Sequence, residues 1–137
     1  MIPRLRSLPV VVPLLIAAAL LGGVHSAAAP PVTLTATTLS LTAAGAPVAT
    51  VAAGTVVTLT ASVVTPLNAT VHPGQVRFCD ASAAHCTDAH LLGTAQLTAA
   101  GTATLRFVPG PGLHSYAAYF NGTTLYQSSN SAASALA

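Results

Sequence analysis

Between residues 55 and 64 the chain reads TVVTLTASVV, with Val57, Leu59, Ala61 and Val63 at alternate positions and Thr58, Thr60 and Ser62 between them. A period of two puts the apolar set on one face and the hydroxyls on the other, the pattern of a half-buried antiparallel strand. The same grammar recurs along the chain. Residues 33–41 carry Leu39 and Leu41 on one face, and residues 75–79 send Val76 and Phe78 one way and Arg77 and Cys79 the other. Residues 91–98 align Leu91, Ala95 and Leu97, and residues 102–108 align Ala103, Leu105 and Phe107 against Thr104 and Arg106. Residues 113–120 align His114, Tyr116, Ala118 and Phe120, which leaves Tyr119 pointing outward. A short edge piece is predicted at 48–53, and a weak last strand rich in Ser and Ala at 126–137.

The breaks between these segments fall where turn chemistry belongs: Gly54, the long connection 65–74, Gly101, the PGPG run at 109–112, and Asn121-Gly122. No segment after Pro31 has helical periodicity. About seven short strands with turn signals at regular spacing predict an all-β chain, an immunoglobulin-like antiparallel β-sandwich.

The first residues follow another pattern. Arg4 and Arg6 precede an apolar run through Leu21, then Gly22-Gly23 and the small residues Ser26, Ala27 and Ala28. A basic start, an apolar middle and a small-residue exit are the parts of a secretory signal peptide. The expected organisation is therefore a signal-peptide helix over 1–28, a stiff lead-in over 29–32 with Pro30-Pro31, and one domain over 33–137. Cleavage is expected after Ala28 or after Ser26. The rival is an uncleaved membrane anchor over 7–24, against which Pro9 and Pro13 speak. The protein is expected to be secreted or held at the cell surface, and to meet a membrane only if this segment is retained.

Export changes the charge balance. Beyond the leader the chain keeps Arg77, Arg106, Asp80 and Asp88, with no lysine and no glutamate, so it is formally neutral. Such a chain has no basic patch with which to displace counterions from nucleic acid, and no nucleic-acid partner is expected. It also has little charge to keep copies apart, which favours self-association.

Candidate chemistry concentrates between residues 79 and 90. Cys79 and Cys86 are read as a disulfide, since two cysteines in an exported chain favour oxidation. The alternative joins them with His85, Asp88 and His90 as metal ligands, although a structural zinc site needs four ligands on a rigid frame. Asp80 and Asp88 flank the loop as turn residues rather than as an acid and base pair. No nucleophile elbow, phosphate loop or acidic calcium motif is present in the sequence, and no cofactor and no catalytic residue is assigned. His114 is expected as a packed or hydrogen-bonded strand residue. Tyr116, Tyr119 and Tyr126 would make a sugar-stacking platform if two of them faced solvent.

Several of these stretches carry a resemblance. GQVRF at 74–78, LLGTA at 91–95, AGTATL at 100–105 and GLHSYAAYFNG at 112–122, after the strand at 55–63 and before Tyr126, look like the bacterial Ig-like repeats of group 3. Each motif is short, and their order over residues 34–131 carries the likeness. The resemblance implies a non-catalytic extracellular spacer or adhesion module with no catalytic residues to transfer. Two departures stand out: a longer 80–90 loop bearing the cysteines, and a clipped last strand.

Two functional expectations follow. The first is a structural or interaction domain, with a protein or cell-surface partner adding a strand at the edge beside the short last strand; on this reading the chain could equally be a fragment of a longer repeat protein. The second is a carbohydrate- or surface-ligand-binding module that uses Asp80, His85, Asp88 and His90 of the loop together with Tyr119.

Overall fold

The computed structural model describes residues 28–137, and the expected signal segment lies outside them. Two antiparallel sheets face each other across one core. The first holds β1 (Ala36–Ala43), β2 (Ala46–Pro47), β3 (Val57–Val64) and β6 (Thr102–Phe107), in the order β2-β1-β3-β6. The second holds β4 (Gln75–Asp80), β5 (Leu91–Gln96), β7 (His114–Phe120), β8 (Ser129–Asn130) and β9 (Ser134–Leu136), in the order β5-β4-β7-β8, with β9 also on β7. This is the immunoglobulin-like sandwich that the alternation predicts. Counting β2 as the return of β1, and β8 with β9 as one broken strand, leaves the expected seven.

The alternating sets become the core. Val57, Leu59, Ala61 and Val63 are all fully buried, and from the other sheet Val76, Phe78, Tyr116, Ala118 and Phe120 meet them. Large and small residues interlock across strands. Phe78 lies opposite Gly93 on β5 and Ala118 on β7, and the Leu105 side chain of β6 fills the space over Gly93. Val71 joins the core from the long connection after β3, where its N–H donates to the Val63 carbonyl at 3.2 Å. Gly101 closes the turn before β6 with φ +72°, and a Cβ there would come within 2.9 Å of the Val63 carbonyl oxygen, so a glycine is required twice over.

Three local expectations are corrected. The edge piece at 48–53 is not a strand. Ala44 and Gly45 adopt positive φ (48° and 83°) and fold the chain straight back on β1, so the return pairs as β2, and Pro47 has no N–H with which to continue it.

The last strand is not single. β8 and β9 pair with β7 in registers one residue apart, and Ser131 bridges the step. Its buried hydroxyl accepts from the Ala118 N–H at 3.0 Å and donates to the Ala132 carbonyl at 2.8 Å, while its own N–H reaches the Ala118 carbonyl at 2.9 Å. A bulge with a built-in hydroxyl thus replaces the missing ladder contact.

The edge beside the last strand is therefore not an open groove. β8 and β9 occupy the outer edge of β7, and β1 is stitched to them in turn. Thr35 and Thr37 each place a hydroxyl 2.7 Å from that of Ser129, and Thr33 makes backbone bonds to Leu125 and Gln127. Ala137 is held by Ala49 and Val51 in the same way. Among the described residues, the outer edges of β5 and β6, on the opposite flank, carry no further strand.

Candidate functional site

The stapled loop begins where β4 ends. Cys79 and Cys86 are disulfide-bonded, with Cα atoms 5.4 Å apart. Cys79, Cys86 and Ala117 are buried yet stand outside the main core cluster, because the loop folds over the outer face of the sheet and covers them. This explains why Tyr116, Ala117 and Ala118 are buried consecutively. The Ala81 N–H continues the ladder to the Ser115 carbonyl at 2.7 Å, and the Asp80 carboxylate accepts from the Ser82 N–H at 2.9 Å. Asp88 and His90 bound a short 3₁₀ turn in which the His90 N–H donates to the Thr87 carbonyl.

The five expected ligand residues fall in two places, Asp80, His85, Asp88 and His90 on the loop and Tyr119 away from it. His85, Asp88 and His90 are exposed, and no group of three metal-ligating side chains is drawn together among the described residues. Tyr119 is not at the loop. It pairs with Arg77, three residues back along β4 from Asp80, roughly 10 Å at strand rise. Tyr116 is buried in the core and Tyr126 packs against it, so the three tyrosines form no platform. His114 stacks on Tyr116 with ring centroids 5.9 Å apart, and its Nε2 lies 2.9 Å from the Gly110 carbonyl oxygen. That is the packed strand residue the sequence predicts.

The family model of the bacterial Ig-like domain (group 3) matches residues 41–137. The chain belongs to that family. No curated protein and no solved structure gives a significant match. The match runs to the end of β9, so the broken last strand falls within the Ig-like domain.

Asp80 of this Ig-like domain carries a carboxyl lowered by its surroundings. Hydrogen bonds from Ser82, first through its backbone N–H, hold the carboxyl below its ordinary 3.8, with small help from His90 and His114 and slight opposition from burial. A carboxyl lowered on folding stabilises the fold above its unfolded value, and that gain disappears as the pH falls through the folded value. Asp80→Asn keeps an oxygen acceptor for Ser82 but removes the charge. The urea midpoints of the parent and this variant, measured from pH 7 to 2, are expected to converge as the pH falls below the ordinary carboxylate value and Asp80 protonates; a constant offset across that range would contradict the assignment.

A second feature of the Ig-like domain lies on the outer face of the same sheet. Thr94, Arg77, Tyr119 and Asn130 form a row across β5, β4, β7 and β8. An open cleft of about 290 Å³ lies over the row, between Arg77 and Tyr119 and the residues of β8. Sequence reasoning pointed Arg77 and Tyr119 outward but did not join them. They are 42 positions apart in sequence, and only the pairing of β4 with β7 brings them side by side.

Proposed function

We propose that this Ig-like domain is a non-catalytic structural module, exported to the cell surface or the medium, which holds what is attached at its two ends at a fixed separation. The observation that carries this reading is the position of those ends. Thr33 lies at one pole, beside Leu67 and Tyr126, and Ala137 at the other, bound to Ala49 and Val51 and beside Pro109. The eight residues of β1 alone separate the poles by about 25 Å. Force applied between the ends would load the seam between β1 and the last strand lengthwise, against many hydrogen bonds at once. A protein partner that adds a strand would meet β5 or β6, whose outer edges pair with no strand among the described residues. A neutral surface and a disulfide suit life outside the cell.

Single-molecule pulling between residues 29 and 137 tests the reading. The domain should release its length in one step, and that step should be about 20 Å shorter when the disulfide is intact than when reduced, because residues 79–86 stay tied. Gradual extension with no step would rule out a load-bearing spacer.

A further inference from the structure

Arg77 is unusual on this surface. It is one of two cations beyond the leader, and its Nε is shielded from solvent with no hydrogen-bond partner. Shielded donors are almost always paired, so an unpaired one calls for an explanation. Neither carboxylate of this stretch offers itself: Asp80 is turned to Ser82, and Asp88 sits within the loop. The other cation, Arg106, is exposed on the opposite sheet, opposite Thr58.

The neighbours of Arg77 are of one chemical kind. Tyr119 is beside it on β7, a half-buried phenol ring. Asn130 and Ser128 close the cleft on the far side. One row along the same face, Gln75 is opposite Gln96, and the Asn121 amide donates to the Gln75 side chain at 3.2 Å. Amides offer donors and acceptors together, which matches the paired hydroxyls of a sugar ring. An aromatic ring accepts the ring's C–H face. A guanidinium takes a carboxylate through two parallel N–H donors.

We propose that the cleft between Arg77 and Tyr119 binds an acidic saccharide, with a uronate-type carboxylate on Arg77 and the sugar ring against Tyr119. No hydrogen bond fixes Nε in its present position, so Arg77 turns toward a ligand carboxylate without losing one there. The cleft lies on the outer face of the sheet, toward the pole that holds Thr33, and its occupation is compatible with the spacer reading. It also replaces the 80–90 loop as the place where this domain meets a ligand.

The two arginines make a direct test possible. In a ¹H–¹⁵N spectrum of residues 29–137 the Nε–H signals of Arg77 and Arg106 are the only two of their kind, and Arg106 serves as the internal control. Trigalacturonate is titrated first, followed by its methyl ester, acetate, inorganic phosphate and a short peptide with a free C-terminal carboxylate. The expected result is a saturable shift of the Arg77 signal alone with trigalacturonate, at least tenfold tighter than with acetate, and abolished by esterification. Tyr119→Ala should bring trigalacturonate down to the acetate level, and Arg77→Gln should remove binding while the backbone spectrum stays folded. His85→Ala with His90→Ala should change nothing. Equal responses to acetate, phosphate or the peptide would overturn the saccharide assignment in favour of a bare anion hook. Joint movement of both arginine signals, or no movement at 10 mM ligand, would remove the site altogether.

Discussion

Replacing Phe78 by alanine is expected to cost about 3–5 kcal/mol of folding stability, a large part of what a domain of this size possesses. The ring is completely buried between the sheets, and its cross-strand neighbours are Gly93 and Ala118. Those two cannot grow into the space it leaves, and the backbone ladders of β5 and β7 hold them in place. The loss should therefore sit at the upper end for a large-to-small change, with little relaxation of the cavity. A melting temperature lower by roughly 15–30 °C than the parent's, in scans of residues 29–137, is the expected reading. Phe78→Leu, which keeps most of the volume, should lose much less. A Phe78→Ala protein that melts within a few degrees of the parent would mean that the core is not organised around this ring.

The second large effect belongs to the disulfide. Substituting both Cys79 and Cys86 by alanine should remove about 2–3 kcal/mol, the loop-closure entropy that a bridge over so short a span withholds from the unfolded chain. The loss should not be purely entropic. The loop shields Cys79 and Ala117 on the outer face of the sheet, and an untied loop would expose both. Urea titration with and without reductant should place the midpoints about 1–2 M apart. Identical midpoints would show that the loop holds its place without the bridge.

Where one face of a strand was buried and the other wet, the alternation of residues was enough to place the strand and its core residues. β3 is the plainest case, with its apolar positions at full burial and its hydroxyls half-exposed. The reading failed where tertiary contacts override that periodicity. Ala117 looks like an outward position until the stapled loop covers it. Val71 lies in a stretch of turn residues and carries no alternation, yet it fills a gap at the end of the core. Thr37, by contrast, follows the alternation, in phase with Leu39 and Leu41, and Ser129 satisfies its buried hydroxyl across the sandwich. The polar residues of the 80–90 loop are contiguous in sequence and therefore legible there. The cleft is instead a row across strands, set by register, and register is fixed by long-range pairing rather than by neighbours in sequence. The broken last strand was legible as weak but not as closed. Its closure depends on one serine hydroxyl standing in for a backbone acceptor.

Arg77 and Arg106 are the only residues from 28 to 137 after which a trypsin-like protease cuts, and each lies within a strand rather than a loop. The turns, where nicking ordinarily begins, contain no arginine or lysine. A cleavable bond appears only when β4 or β6 leaves its sheet, which means losing the core. Against such enzymes the lifetime of the domain follows the small fraction of molecules that are open at any moment, and each added kilocalorie of folding stability lengthens it several-fold.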